Sequence, residues 1–380
     1  MGKLYTAIGL MSGTSLDGLD VYVIESDGNR EFSSIFDRYF EYGKELTLKI
    51  LDLRDKISNP ERLDKYSSEI KELEREITLF HLKAVNETLE VSKLSIDLIG
   101  FHGQTIFHDP ERKITKQLGD GKLLSQLTKK KVVYNFRQND LDNEGQGAPL
   151  TPIFHNVLAN KINEKFNLGF PIFILNIGGI ANITTTVDWE ELMYLDKIFA
   201  YDIGPGNCLI DEWIRRNSKK KYDKEGLISR NGKKNELILN QAIENFCGKP
   251  NYKKSLDVKN FDIFFAKGLS LEDGAATITS FTAKLISDGM NYAHKNIKSK
   301  IFKYLVCGGG RKNKYLLENI KNNFRKISID PIDKYEIDGD FVESQAFAFL
   351  AIRSLKKLHI SFPSTTNCKV SCSGGELIDN

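Results

Sequence analysis

Two segments of the chain share one design, in which an apolar run ends in a short turn rich in Gly, Ser or Asn and then resumes. The first covers residues 5–20 and the second covers residues 173–184. Such a pattern is typical of a strand, a tight turn and a second strand. Glycine in the turn lets backbone N–H groups converge on an anion without interference from a Cβ atom. The repeated unit therefore predicts two related lobes that both face one polyphosphate, in a protein that handles ATP.

Strand and helix patterns alternate around these two units, which predicts α/β layers. In the first lobe we expect a long helix that begins at Asn59-Pro60, because proline favours the first helical turn. In the second lobe Ser270 and Asp273 are spaced as at the start of a capped helix. The expected strands cover residues 5–10, 19–26, 34–40, 98–101 and 301–307, and further helices cover residues 313–324 and 342–358.

The predicted boundary between the lobes lies at a short lysine run. Residues 129–131 are all Lys, and an apolar run follows them. The first lobe is therefore expected to comprise residues 1–130 and about 345–380, since the last helix is expected to return to it, and the second lobe residues 131–344. The tail at residues 361–380 is rich in Ser, Thr and Gly, and we expect it to be weakly structured.

Charge and cysteine content exclude several classes of protein. The 380 residues carry 54 basic and 51 acidic side chains, and a net charge of +3 indicates no nucleic-acid partner. We find no apolar stretch of membrane-spanning length and no secretory leader, and we expect a cytoplasmic protein with reduced thiols. Cys368 and Cys372 are spaced like two metal ligands, but no second Cys or His pair lies nearby in the sequence, so we do not expect zinc there. The other cysteines are Cys208, Cys247 and Cys307.

The turn after the first strand is a candidate phosphate site. Ser12 to Ser15, followed by Asp17-Gly18, is not a Walker loop, because no Gly-Lys-Ser or Gly-Lys-Thr ends it. Its N–H groups and hydroxyls can still hold phosphate, with Asp17 near a magnesium-bound water. The alternative is a tight hairpin with no ligand. The second copy of the turn, at residues 177–182, favours phosphate binding.

Two later glycine turns extend this nucleotide hypothesis. Asp202 ends an apolar run and precedes a turn with Gly204 and Gly206, which suits a metal or phosphate but equally an Asx-type turn. Gly308 to Gly310 follows a predicted strand, and bare backbone there lets a flat adenine ring approach closely. Three glycines are also common in ordinary loops.

Polar residues at the ends of two further predicted strands suggest contacts with a sugar. His102, Gln104 and His108 could be metal ligands, but hydrogen bonds to a sugar suit His102 and Gln104 better. Arg137 and Asp140 could form a clamp and a general base, although spacing alone favours a surface ion pair. Glu343 begins the last helix, where an acid is expected for helix-dipole reasons, and it is a weak candidate for a substrate ligand.

Taken together, the motifs resemble those of the anhydro-N-acetylmuramic acid kinase family, in order, up to about residue 362. They are Gly9-Leu-Met-Ser-Gly-Thr-Ser-Leu-Asp-Gly18, Gly100-Phe-His-Gly-Gln-Thr105, Gly145-Gln-Gly-Ala-Pro-Leu150, Asn176-Ile-Gly-Gly-Ile-Ala-Asn182, residues 202–207 and Leu271-Glu-Asp-Gly-Ala-Ala276. The resemblance implies a two-lobed actin-like ATPase (ribonuclease H-like) α/β fold, with a mixed five-stranded sheet in each lobe and an interdomain cleft. The sequence departs from the family pattern at Glu144, at Ile203 and at residues 254–258.

The activity that the resemblance implies combines ring opening with phosphorylation. ATP and water would convert 1,6-anhydro-N-acetylmuramic acid into N-acetylmuramic acid 6-phosphate and ADP, in cell-wall peptidoglycan recycling. Asp140 would activate the water, Gln104, Arg137 and Glu343 would contact the sugar, and Asp17 and Asp202 would hold Mg²⁺. A homodimer is also expected. The residues expected to bind ATP are Ser12, Gly13, Thr14, Ser15, Leu16, Asp17, Gly18, Leu19, Asp20, Gly178, Gly179, Asn182, Gly204, Gly308, Gly309, Gly310 and Asn313.

Two other classes of protein remain as alternatives. Another sugar or acyl kinase of the same superfamily would share both hairpins but differ around Asp140. A non-enzymatic actin-like ATPase, acting as a chaperone or scaffold, would be expected to carry a peptide-binding extension, and the polar tail is too short to fold separately.

Overall fold

Strands and helices alternate along the chain in the computed structural model, which describes residues 2–13, 16–189, 197–246, 252, 254–295, 297, 302–324 and 327–379. The strands are β1 (Tyr5–Met11), β2 (Gly18–Ser26), β3 (Phe32–Glu41), β4 (Leu98–Phe101), β5 (Gln104–Asp109), β6 (Ile114–Leu118), β7 (Lys131–Tyr134), β8 (Ile172–Ile177), β9 (Ile180–Thr185), β10 (Phe199–Pro205), β11 (Phe302–Cys307), β12 (Ile327–Pro331) and β13 (Glu376–Ile378). The helices are α1 (Lys44–Lys56), α2 (Glu61–Lys65), α3 (Ser67–Ser92), α4 (Gly121–Thr128), α5 (Gln138–Asp142), α6 (Pro152–Phe166), α7 (Cys208–Asn217), α8 (Leu227–Asn231), α9 (Glu236–Phe246), α10 (Leu271–His294), α11 (Lys314–Asn322), α12 (Val342–Leu355) and α13 (Pro363–Thr366). None of the helices described is long and apolar enough to span a membrane.

The chain divides into two compact units. The first comprises Met1–Leu158 and Phe341–Asn380, and the second comprises Ala159–Asp340. Each unit contains a mixed sheet with helices, so the predicted α/β class and the two-part organisation are confirmed.

The sheet of the first unit has six strands in the order β13-β7-β4-β1-β2-β3. Strands β1, β2 and β3 form an antiparallel meander, and β4 and β7 continue the sheet in parallel with β1. Gly9 of β1 and Gly100 of β4 are neighbours in register, and α12 packs on these strands. A Cβ atom at Gly9 would lie 2.7 Å from the backbone N of Ala348. The two glycines therefore let the predicted last helix return and pack closely on this sheet.

The sheet of the second unit has five strands in the order β10-β9-β8-β11-β12. Taken from the other edge, β12-β11-β8-β9-β10 corresponds to β7-β4-β1-β2-β3 of the first unit. Strands β8, β9 and β10 are antiparallel neighbours, and β11 and β12 run parallel to β8. Helix α10 packs along this sheet with Ala283, Ile286 and Met290 in the core, and the Ser270 hydroxyl caps it by accepting a hydrogen bond from the Asp273 N–H. The repeated hairpin in the sequence thus corresponds to a repeated sheet, although the first unit has six strands rather than five.

The boundary between the units lies later than the sequence analysis predicts. Strand β7 follows the lysine run and pairs in parallel with β4, so residues up to Leu158 belong to the first unit. A buried β-ladder determines the boundary here, whereas the prediction relied on local charge. Arg137 and Asp140 consequently belong to the first unit and not to the second.

The prediction of a weakly structured tail is wrong. The tail forms α13, pairs β13 with β7, and joins Ser361 to Cys372 in an antiparallel bridge. The side chains of Phe362 and Cys368 are each 2% exposed, so apolar burial stabilises a segment whose average composition is polar. The predicted long helix near Asn59 also differs, because α2 and α3 are separate helices that meet at Tyr66.

Candidate active site

Asp140 lies in the short helix α5 and is 1% exposed. Its Oδ2 accepts a hydrogen bond of 2.6 Å from the backbone N–H of Gly147, and its Oδ1 accepts one of 2.6 Å from the Thr366 hydroxyl. Burial raises the pKa of the Asp140 carboxyl, and the hydrogen bonds from Thr366 and Gly147 partly oppose that rise. The structure therefore shows a buried and oriented carboxylate, in contrast to the surface ion pair that spacing alone favours.

The loop after α5 is shaped around this carboxylate. The backbone N–H of Gly145 donates to the Asp140 carbonyl at 2.8 Å. A Cβ atom at Gly145 would lie 2.5 Å from Asp140 Cγ, so a larger residue here would displace the carboxyl from its present position. The preceding residue, Glu144, has a φ of 67°, in the left-handed region.

Arg137 is anchored one turn before Asp140. Its Nη1 donates to the Gly147 carbonyl at 2.7 Å, and its Nη2 donates to Nε2 of His102 at 2.9 Å. His102 Nδ1 lies 2.7 Å from the Gly103 carbonyl, so it carries the proton and leaves Nε2 as the acceptor. Burial, followed by the Arg137 charge, lowers the pKa of His102, which keeps the ring neutral. His102 therefore orients Arg137, because both of its ring nitrogens bond to protein groups.

Gln104 connects the sugar candidates to the first phosphate turn. Its Nε2 donates to the Gly13 carbonyl at 3.1 Å, and the side chain is completely buried. Among the residues described, its Oε1 atom has no hydrogen-bond partner. A buried amide oxygen without a partner costs free energy, which a donor on a bound ligand would recover. Glu343 is half-buried in the first turn of α12 in the same unit.

The first phosphate turn is held by a polar contact beneath it. The Ser12 hydroxyl lies 2.6 Å from the Tyr42 hydroxyl and 3.4 Å from His81 Nε2. Leu16 and Leu19 are buried in the core, so only their backbone groups could meet a phosphate. The Asp17 carbonyl accepts a hydrogen bond from the Tyr42 N–H at 2.9 Å. Thr14 and Ser15, which we also predict to bind ATP, lie outside the described residues.

The second phosphate turn, in the second unit, is fixed by a neighbouring loop. The carbonyl groups of Gly178 and Gly179 accept hydrogen bonds from the N–H groups of Asn207 at 2.7 Å and Gly206 at 2.9 Å. A Cβ atom at Gly206 would lie 3.1 Å from the Gly178 carbonyl carbon, so the two turns meet backbone to backbone. The N–H groups at the start of α7 lie directly after this junction, and a helix N-terminus favours an anion.

Asp202 and Asn182 are opposite each other on β10 and β9 of the second unit. Asp202 is buried, and its Oδ2 accepts a hydrogen bond from the Leu256 N–H at 2.8 Å. The register shifts between Asp202 and Gly204, so a β-bulge interrupts the ladder before pairing resumes at Gly204 and Ala181. Asn182 Oδ1 is buried without a hydrogen-bond partner among the residues described.

The glycine run after β11 forms a turn in which Gly308 and Gly310 have no room for a Cβ atom. Gly308 has a φ of 76°, and its N–H donates to the Gly339 carbonyl at 2.9 Å. A Cβ atom at Gly310 would lie 3.0 Å from the Ile177 carbonyl oxygen. Asn313 Oδ1 accepts a hydrogen bond from the Leu316 N–H at 2.9 Å and caps α11.

Arg311 supports this turn and was not singled out from the sequence. It is 5% exposed, and its Nε donates to Asp333 at 2.6 Å while its Nη1 donates to Asp340 at 2.5 Å. The Nη1 group also donates to the Gly308 carbonyl at 3.2 Å. An arginine next to a glycine turn, followed by several aspartates, was the available sequence signal.

A profile of anhydro-N-acetylmuramic acid kinase matches residues 5–379 of the chain. The chain belongs to the anhydro-N-acetylmuramic acid kinase family. The member of this family from Pelagibacter ubique is 51% identical over all of both chains, and the member from Agrobacterium fabrum is 37% identical over all of both chains. The member from Zymomonas mobilis is 35% identical over 98% of this chain and 99% of its own. The family resemblance and the enzyme class predicted from the motifs are thereby confirmed.

One solved structure with a similar fold is more distant from this anhydro-N-acetylmuramic acid kinase family member than those relatives. An activator of 2-hydroxyisocaproyl-CoA dehydratase from Clostridium difficile, with bound ADPNP, aligns with 92% of this chain and 96% of its own. The identity is 12% and the TM-score is 0.42.

Proposed function

We propose that this chain is an ATP-dependent kinase that opens the 1,6-anhydro ring of 1,6-anhydro-N-acetylmuramic acid with water and phosphorylates O6. The products are N-acetylmuramic acid 6-phosphate and ADP, which places the reaction in cell-wall peptidoglycan recycling and amino-sugar catabolism. The single observation that supports it best is the buried Asp140 carboxylate, held by the Gly147 N–H and the Thr366 hydroxyl. We expect the reaction in the cytoplasm and a homodimer as the working form.

Asp140 is proposed as the general base. It takes a proton from a water molecule whose oxygen then bonds to the anomeric carbon of the sugar, and the bond from that carbon to O6 breaks. The released O6 attacks the γ-phosphorus of ATP, and ADP leaves. The proton on Asp140 passes to solvent. A carboxylate whose pKa is raised by burial is a stronger base once ionised, which favours this role.

The sugar is proposed to contact Gln104, Arg137 and Glu343. The unpartnered Oε1 atom of Gln104 suits a hydroxyl or amide N–H donor on the sugar. The Arg137 guanidinium is pre-oriented by His102 and by the Gly147 carbonyl, and its charge complements the carboxylate of muramic acid. Pre-orientation lowers the entropic cost of holding the sugar near the base.

The nucleotide is proposed to contact the glycine turns of the second unit and the turn after β1 in the first. Gly178, Gly179, Gly204 and Asn182 would meet the phosphates through bare backbone and an amide. Gly308 to Gly310 and Asn313 would meet adenosine. In the first unit, Ser12, Gly13 and residues 16–20 would supply further phosphate contacts, together with Thr14 and Ser15.

The carboxylates of Asp17 and Asp202 are proposed as magnesium ligands. Oxygen donors are what Mg²⁺ prefers, and buried Asp202 lies within β10 opposite Asn182, whose Oδ1 atom has no partner among the residues described, so the oxygen atoms at this position suit the ion. Magnesium would neutralise charge on the phosphates.

The test is ADP release in a coupled assay with magnesium-ATP and 1,6-anhydro-N-acetylmuramic acid, run beside N-acetylmuramic acid and glucose. The proposal predicts release with the anhydro sugar and only background release with the other two. Release with glucose or an acyl acceptor in place of the anhydro sugar would indicate another kinase of the same superfamily.

A further inference from the structure

Asp140 has two thiols as neighbours. One carboxylate oxygen of Asp140 and the Sγ atoms of Cys368 and Cys372 all lie within 4.8 Å of one another, and all three residues are buried. The sequence analysis dismissed a metal at the two cysteines because no further ligand lies nearby in the chain. The fold supplies that ligand from α5.

The three groups have the chemistry of a zinc site. Thiolate and carboxylate are both common zinc ligands, with Zn–S distances of about 2.3 Å and Zn–O distances of about 2.0–2.2 Å. Tetrahedral angles at those lengths separate the two sulfurs and the oxygen by roughly 3.5–3.8 Å, so side-chain shifts of about 1 Å suffice to close the cluster on an ion. Soft thiolates favour zinc over magnesium, which prefers an all-oxygen site.

The backbone holds the three ligands in place. Cys372 donates its N–H to the Ser361 carbonyl at 3.1 Å, and its own carbonyl accepts from the Ile360 N–H at 2.9 Å. Cys368 follows α13, and the Thr366 carbonyl at the end of that helix accepts a hydrogen bond from the Gln146 N–H at 2.8 Å.

Groups around the cluster also fix the orientation of its carboxylate. The Thr366 hydroxyl and the Gly147 N–H hold the Asp140 oxygens, and the Cys368 side chain also hydrogen-bonds to this carboxyl, so loss of the thiol proton frees a lone pair for a metal. Outer hydrogen bonds of this kind orient metal ligands in proteins. A metal would therefore meet a largely preformed set of donors.

We propose that Asp140, Cys368 and Cys372 bind one Zn²⁺ ion, with the fourth position open to water. On binding, the two thiols lose their protons to solvent and two Zn–S bonds and one Zn–O bond form. Because the ion occupies Asp140, it blocks the proposed base and inhibits the kinase. This inhibition rests on the proposed function, whereas the binding does not.

The test uses the full chain, stripped with a chelator, kept reduced with a phosphine and then given Zn²⁺. After gel filtration, zinc per protein is measured by mass spectrometry for wild type, the double variant Cys368→Ser/Cys372→Ser, and Cys208→Ser as a matched control in the second unit. We expect about one zinc in wild type and in the control and none in the double variant. Substitution with Co²⁺ should give a thiolate charge-transfer band in wild type, a readout that needs no variant to fold.

Two results would overturn the site: wild type that retains no zinc, or a double variant that retains as much as wild type. Activity is measured separately. We expect ADP release by wild type to fall at least about tenfold with zinc and to recover on adding a chelator, whereas the ratio with and without zinc should be near one for the double variant. A protein that binds zinc but never releases ADP would support the site and count against the proposed function.

Discussion

The Thr366 hydroxyl donates a 2.6 Å hydrogen bond to Asp140 Oδ1, across 226 residues of sequence. Because Thr366 lies in α13, this bond connects the tail of the chain to the proposed base. A hydrogen bond to the charged form of a carboxylate stabilises it and fixes its direction. The tail is therefore part of the proposed active site rather than an appendage.

Two substitutions at Thr366 should distinguish the contribution of the hydroxyl to kcat/KM from that of the rest of the side chain. We expect Thr366→Ala to lower kcat/KM about tenfold, because a lost hydrogen bond to a charged group is worth roughly 1.5 kcal/mol or more. Thr366→Ser keeps the hydroxyl and should stay within about threefold of wild type. Steady-state ADP release measures both variants, and equal losses in the two would show that the hydroxyl is not the group that matters.

Asp140→Asn removes the proposed base and leaves its shape unchanged. Turnover should fall by roughly 10²–10⁴-fold, which is the usual contribution of a positioned general base. ATP affinity, measured by calorimetry, should be unchanged. The matched control is Asp142→Asn, an exposed carboxylate in the same helix α5, which should keep wild-type turnover. Wild-type turnover in Asp140→Asn would exclude this residue as the base.

Arg311→Ala should weaken the second unit at the Gly308 turn. The guanidinium bonds to Asp333, to Asp340 and to the Gly308 carbonyl, and losing bonds of this kind costs roughly 1.5–3 kcal/mol. The free energy of unfolding from urea titration should fall by that amount, and KM for ATP should rise. Arg216→Ala removes an exposed ion pair with Glu212 and should change stability by less than about 0.5 kcal/mol. Equal costs in the two variants would contradict this account of the turn.

His81 should make the fold sensitive to acid. It is fully buried beside Ser12, with Nδ1 bonded to the Ile77 carbonyl at 2.8 Å, and burial lowers its pKa to about 4. The unfolded chain binds a proton below the ordinary histidine pKa of about 6.5, so stability falls as the pH drops from there towards 4. This residue alone should account for about 2 kcal/mol of that loss at about pH 5.

His81→Gln removes that titration while keeping a neutral polar side chain. The free energy of unfolding of this variant should fall less between about pH 7 and pH 5 than that of wild type. His359→Gln, at an exposed position, should show the wild-type slope. Parallel slopes for wild type and His81→Gln would mean that His81 is already protonated in the folded protein.

Local signals predicted the hairpins of both units well. The apolar runs and glycine turns gave β1 with β2 and β8 with β9, because residues close in sequence decide the pairing of a hairpin. The Ser270 cap could also be predicted from the sequence, since its partner, Asp273, lies only three positions away. The sequence analysis did not predict helix α1 (Lys44–Lys56).

Long-range pairing determined what the sequence could not show. The tail has a polar composition, yet Phe362, Cys368 and Cys372 are buried. Backbone hydrogen bonds join Thr366 to Gln146 and Lys369 to Asn143, across more than half of the chain. The same kind of pairing placed β7 in the first sheet and moved the boundary. The spacing of residues alone could not predict that Asp140 is buried, because Thr366 and Gly147 contact it only in the folded protein. The family resemblance pointed to Asp140 instead.

The most direct test of the central claim is the reaction in ¹⁸O-labelled water with magnesium-ATP and 1,6-anhydro-N-acetylmuramic acid, with the product analysed by mass spectrometry. The account predicts ADP together with a phosphorylated amino sugar that carries one solvent oxygen at the anomeric carbon. ADP with a phosphorylated sugar that contains no solvent oxygen, or no phosphorylated sugar at all, would contradict it.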